Sequence, residues 1–232
     1  MIPQANPRSL ETAERSGRFG AVLWITAIQF FIVQVIVQAA WTTPFSFITN
    51  FISDLGNTAC APYPPDSTSY VCSPRHALMN ASFVFLGVTR IFGAVLIRRA
   101  VPGGRLRNIG LGLITLSGLG VILVGLFPEN VNIGWHRIGA GLDLVGGNLG
   151  IALLGASIWE TDRRSWLGAY SIVSGVVGLV ALWLFVSDRD LGLGIGGIER
   201  LTAYPIPIWM IVAGLVFLLP LRGPSTDTSS RA

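Results

Sequence analysis

Six apolar stretches divide this chain, near residues 19–41, 77–97, 108–127, 137–159, 166–187 and 201–221. A bilayer hydrocarbon core of about 30 Å is crossed by about 20 residues of α-helix, since each residue rises about 1.5 Å. Six crossings consume most of the 232 residues, and charged residues, held to 12%, fall mainly in the gaps. A mean hydropathy of +0.62 belongs to the same picture. The expected fold is all-α, an integral membrane six-helix bundle over residues 19–221. A segment 1–18 precedes it, and a Ser- and Thr-rich tail, 222–232, reads as disordered.

The chain has no lysine, so arginine alone reports orientation. With the N-terminus inside, the cytoplasmic set is Arg8, Arg15, Arg18, Arg98, Arg99, Arg105, Arg107, Arg163, Arg164, Arg222 and Arg231, eleven in all. Only Arg75, Arg137, Arg189 and Arg200 fall outside. N-terminus and C-terminus are therefore both expected to be cytoplasmic, and the plasma membrane is the expected location. The same asymmetry explains the sequence pI of 9.7 without nucleic acid, whose binders gather basic residues on one folded face. Arg15 and Arg18 ahead of the first stretch resemble a secretory leader. A leader's apolar region runs about 7–15 residues, whereas this one continues to Trp41, so an uncleaved anchor is expected. Trp41, Trp135, Trp159 and Trp166 sit at the edges of stretches, where interfacial indoles belong.

Cys60 and Cys72 lie in the long loop after the first stretch, on the side where disulfides persist. They are expected to pair, and closing such a loop is worth about 3 kcal/mol of chain entropy. Zinc binding with His76 would want a CxxC spacing or a second nearby histidine, and neither is present. No metal and no cofactor are implied.

Within the stretches, Gly146/Gly150, Ser171/Gly175 and Ser174/Gly178 have the small-xxx-small spacing that lets helix backbones approach. These are read as contacts within one chain and say nothing of oligomeric state. Gln34 and Gln38 share one helix face. Asp143 and Arg90 are intramembrane ionisable residues, which face a bundle interior or a wet cavity. Counted along their helices the two lie roughly 10 Å apart in depth. Arg90 is then either the partner of Asp143 or snorkels to the cytoplasmic headgroups.

Polar residues collect at the outer ends: Ser53, Asp54, Asn57, Arg75, His76, Asn80, Glu129, Asn130, His136, Arg137, Glu199 and Arg200. A bundle a few helix diameters wide brings them together. A carboxylate beside a histidine is the minimum for acid/base chemistry, which makes His136, Asp54 and Glu129 the catalytic candidates. Asp54, Asn57, Arg75, His76, Asn80, Glu129, His136, Arg137, Glu199 and Arg200 are the candidates for holding a ligand, although outer loops are polar in any case and acidic residues there also cap helices. No GxSxG or HExxH motif is present. Gly192, Gly194 and Gly197 match GxGxxG, but they follow a membrane span rather than a strand, which argues against a dinucleotide site.

Four segments carry a family resemblance: Ser53-Asp54-Leu55-Gly56; His76 to Asn80; Gly125-Leu126-Phe127-Pro128-Glu129 followed by His136; and Gly197-Ile198-Glu199-Arg200 followed by Tyr204-Pro205 and Trp209. Through them the chain resembles the prokaryotic membrane proteins grouped as domain of unknown function 998, over roughly residues 20 to 220. That family is distantly similar to the Frag, DRAM and Sfk group of six-helix proteins. The resemblance implies involvement with membrane lipids and assigns Asp54, Glu129, His136, Glu199 and Arg200 to one extracytoplasmic site.

The leading expectation is a membrane protein that binds or organises a lipid headgroup or lipid-linked molecule, with Arg75, Arg137 or Arg200 on its phosphate. One alternative is an intramembrane lipid hydrolase or acyltransferase with a His136/Asp54 pair and Ser53 as nucleophile. The other is a small transporter, which would need a polar track through Asp143 and Arg90.

Overall fold

The computed structural model describes residues 7–65, 69–101, 103–161 and 165–219. The tail expected over 222–232 lies outside the described residues. Among the described residues eight helices follow in order: α1 (Pro7–Ile25), α2 (Ile28–Gln38), α3 (His76–Ile97), α4 (Arg105–Leu126), α5 (Ile133–Thr161), α6 (Ser165–Val186), α7 (Gly194–Ala203) and α8 (Pro205–Leu218). Between α2 and α3 the chain makes a 3-10 turn, Ser53–Gly56, and two short strands, β1 (Ala61–Pro62) and β2 (Tyr70–Val71).

Six segments among the described residues are long and apolar enough to cross a membrane: Glu14–Gln38, His76–Ile97, Arg105–Leu126, Ile133–Glu160, Ser165–Val186 and Gly194–Leu218. The protein is an all-α, multi-pass membrane bundle, as its hydropathy implies. Two spans are each built from two helices. Between α1 and α2, Thr26 Oγ1 donates to Leu23 O at 2.6 Å, and the backbone tightens to three-residue bonds such as Ala27 N to Trp24 O, 3.1 Å. Threonine bonding back onto its own helix produces such bends. Between α7 and α8 the cause is Pro205, which has no N–H to give and opens the second helix at its first turn.

The last span starts at Gly194, earlier than the 201 expected, so Glu199 and Arg200 are helical residues and not loop residues. Gly194, Gly196 and Gly197 dilute both the apolar pattern and the helix propensity there, which hides the start.

Each span packs against its neighbours in sequence, α1 also meets α3, and α8 returns to α1, so the spans close into a ring. Small residues set the spacing. A Cβ on Gly120 of α4 would stand 2.5 Å from the carbonyl oxygen of Gly139 on α5, and one on Gly139 would stand 2.7 Å from that of Gly120. Gly150 packs on Gly110 O, and Gly175 on Ala152, so these small-residue pairs serve contacts inside the chain. Trp24 and Trp209, both fully buried, pack between α1 and α8 with ring centroids 5.1 Å apart and ring planes tilted by 56°. Outward faces are apolar instead: Val88, Phe92, Leu119, Val173, Val180 and Trp183 are exposed, a girdle that suits lipid and not water.

Candidate functional site at the disulfide end

The α2–α3 connection caps one end of the bundle. Cys60 and Cys72 form a disulfide that closes the β1–β2 hairpin, paired Ala61 to Val71 and Pro62 to Tyr70. Ser73 Oγ donates to Leu55 O at 2.7 Å and Asn80 Nδ2 to Gly56 O at 2.9 Å, which fixes the 3-10 turn on the start of α3. From the other side, Arg200 Nη1 on α7 donates to Asn50 O (2.7 Å), Gly196 O (2.8 Å) and Phe47 O (3.2 Å). Its guanidinium also lies 5.1 Å from the Phe47 ring centroid. Gly194 has φ 71° and sits against the backbone of Ile48, a position that excludes a side chain.

Beneath this cap lie carboxyl groups taken out of water. Asp54 is 3% exposed and Glu129 8%. One Asp54 oxygen, Oδ2, accepts from Phe51 N at 2.9 Å and Asn50 Nδ2 at 3.1 Å, and the carboxyl also meets that of Glu129. Two carboxyls in contact cannot both be ionised cheaply. Burial and then the charge of Asp54 push Glu129 up to about 9, and burial raises Asp54 as well. The pair therefore holds a shared proton at neutral pH. Tyr63, from the hairpin, is pushed up to about 12 by burial and then by the charges of Glu129 and Asp54. Asn57, 1% exposed, faces Glu129 without a well-formed hydrogen bond. Glu199 Oε2 accepts from Ile52 N at 2.6 Å, tying α7 to the start of the turn.

His136, in the first turn of α5, is 6% exposed. Its Nδ1 lies 3.0 Å from Phe127 O and its Nε2 lies 3.0 Å from Ser53 Oγ. A carbonyl only accepts, so Nδ1 carries the proton and Nε2 of the neutral ring accepts from the serine hydroxyl. His136 and Asp54 are not hydrogen-bonded to each other: the histidine is oriented by a main-chain carbonyl and Asp54 by Asn50 and Phe51.

Ser53 and Glu199 line one end of a cavity of about 60 Å³, space for roughly four to six water-sized groups. Its walls are mostly apolar, with Phe30, Phe83, Leu86, Val121 and Pro207 among them, and Arg90 and Asp143 stand at its far end. Those two form an ion pair, and Ser117 Oγ donates to Asp143 Oδ1 at 2.7 Å. The apparent difference in depth is bridged by the length of the Arg90 side chain, which leans toward the N-terminus of α3, the disulfide end. Arg90 thus reaches toward Asp143 and does not snorkel the other way. Removing one partner of such a buried pair costs about 3–5 kcal/mol.

The remaining candidates divide cleanly. Arg75 and Arg137 are exposed at the rim. His76 Nδ1 pairs with Ser73 O at 3.0 Å, on its own helix start and away from the cavity. Arg200 is buried; its Nη1 is engaged by three carbonyls of the cap, while its Nε and Nη2 have no hydrogen-bond partner among the described residues. Among the described residues no group of three or more His, Cys, Asp or Glu side chains is placed to hold a metal ion. Sequence reasoning missed Asn50 and the Phe127 carbonyl. Asn50, four residues before Asp54, is the spacing of a local hydrogen bond; a carbonyl leaves no trace in residue identity.

Fold and site define the class, a multi-pass membrane protein of six spans with a polar site buried at one end. The chain matches the family model described as protein of unknown function (DUF998) over residues 24–216, and it belongs to that family. No curated protein and no solved structure matches it.

Proposed function

We propose that the protein binds an acyl-bearing lipid or lipid-linked molecule from the outer leaflet, with the polar linkage at the Ser53 end of the cavity and apolar atoms between the helices. The carrying observation is the two-sided character of that cavity: Ser53 and Glu199 at one end, aliphatic and aromatic walls beyond. An amphiphile matches both parts, as ligand pockets with few polar groups in apolar surroundings generally do. Buried carboxyls suit hydroxyl groups better than a phosphate, which the exposed Arg75 and Arg137 are free to meet at the rim. Transport finds less support. Beyond Arg90 toward the other end of the bundle, the buried side chains include Ala94, Ile97, Leu111, Ile114 and Leu154, and the polar ones among them, Asn148, Ser157 and Ser171, carry no charge.

Native mass spectrometry of the protein released from its own membrane into nanodiscs tests this reading. The wild type is expected to retain a defined lipid, and Ala140→Leu, which fills the cavity, to lose it while keeping the same melting temperature within a few degrees. Absence of any retained lipid on the wild type, or an unchanged complement on the variant, overturns it.

A further inference from the structure

We infer that Ser53 and His136 are a nucleophile and its general base, able to take an acyl group from an oxygen ester. This rests on the reading that the cavity receives an acyl-bearing molecule.

Three parts of an acyl-transfer site coincide here. The nucleophile is in hydrogen-bond contact with its base, Ser53 Oγ to His136 Nε2 at 3.0 Å. The base is held in the required tautomer by a third group, the Phe127 carbonyl on Nδ1 at 3.0 Å, the place a carboxylate occupies in other such triads. The hydroxyl-bearing residue lines a cavity of about 60 Å³ with apolar walls, room for an ester group and the first few carbons of its chain. Beside it, the Ile52 amide presents its N–H to a carboxylate oxygen of Glu199 at 2.6 Å. This donor already holds a carboxyl oxygen next to the nucleophile, and an ester carbonyl oxygen reaches it by displacing Glu199. A serine that merely capped the 3-10 turn would turn its oxygen to the turn's own amides; Ser53 turns to the imidazole instead.

The step balances without another cofactor. Ser53 Oγ bonds to the ester carbonyl carbon while its proton passes to His136 Nε2. The tetrahedral adduct collapses, the bond from that carbon to the alcohol oxygen breaks, and the alcohol leaves with the proton from Nε2. Acyl-Ser53 then yields its acyl group to water or to a second hydroxyl, whose proton travels by the same histidine.

The test uses the full-length protein in nanodiscs, a fluorophosphonate probe and peptide mass spectrometry, with native mass spectrometry of retained lipid run on the same samples. Wild type is expected to carry the phosphonate on Ser53, at a rate that rises with pH through the imidazole range and then levels. Ser53→Ala is expected to lose the adduct, and His136→Gln to slow it by about a hundredfold or more, each folding to a melting temperature within a few degrees of wild type. Labelling of the wild type elsewhere only, or at Ser53 equally fast in His136→Gln, overturns the inference while leaving lipid retention to judge the binding reading separately. Because Ser53→Ala removes only one hydroxyl, a folded but unlabelled variant beside a wild type labelled at Ser53 is the decisive supporting result.

Discussion

At the scale of single residues, the carboxyl pair under the cap makes stability depend on pH with a definite sign. Glu129 is an acid whose folded value, about 9, stands above its ordinary 4.5. Below 4.5 both folded and unfolded chains hold its proton. As pH climbs from about 4.5 to about 9, the unfolded chain releases the proton while the folded one keeps it, so this stabilising contribution is lost progressively. Asp54 adds to the slope in the same direction, since burial raises it too. The glutamine amide of Glu129→Gln would donate to Asp54 in place of the shared proton. That variant is expected to melt higher than wild type at neutral and alkaline pH and to show a flatter fall, measured by tryptophan fluorescence on heating. A steeper fall, or equal melting across the range, would refute the shared proton. Residue identity alone placed Asp54 and Glu129 at one end of the bundle, because polar groups have nowhere else to go. Which of them touch was not legible: Asp54 and His136 both attend the cap, yet Asp54 turns to Asn50 and Phe51 and His136 to Ser53, through rotamers set by packing.

At the scale of elements, helix positions followed from hydropathy, and helix ends followed less well. The spans from His76, Arg105 and Ser165 begin within a few residues of where the apolar stretches do, since a charge or polar residue marks each edge. The Gly194 start was invisible because three glycines carry neither apolar weight nor helix preference, and the break at Thr26 has no glycine or proline to announce it. Glycine did announce how closely the helices pack. Gly120 and Gly139 face one another's carbonyl oxygens, and backbone atoms cannot rotate aside as a flexible side chain can. Gly139→Val is therefore expected to part α4 from α5 and to cost about 1–3 kcal/mol. Its check is the yield and melting temperature of folded protein, with Gly141→Val, at an exposed position on the same helix with open space around its α-carbon, as the control. Comparable losses in both variants would show that valine's helix propensity, and not the α4–α5 approach, governs the effect.

For the molecule as a whole, the unequal arginine count and the fold make one joint prediction. Six spans return the chain to the side it started from, so the loop of Cys60 and the loop of Glu129 share a face, as their contacts require: Thr58 N donates to Asn130 Oδ1 at 3.2 Å. Arg98, Arg105 and Arg107 belong to the opposite face. By the eleven-to-four division of arginines that opposite face is expected to be cytoplasmic, with the Ser53 end of the cavity and the carboxyl pair outside. A disulfide in the cap is consistent with the same assignment, because thiols on the cytoplasmic side are kept reduced. Both native cysteines are engaged in that bond, so an introduced cysteine is a clean reporter. An impermeant maleimide applied to intact cells is expected to label Asn132→Cys, in the exposed α4–α5 loop, and to label Gly103→Cys, in the α3–α4 loop, only after permeabilisation. The reverse pattern would turn the bundle over and place the Ser53 pocket against the inner leaflet. The pocket's internal geometry would survive that inversion, but the lipid pool it samples would change, so this measurement decides which lipids are worth offering to the protein.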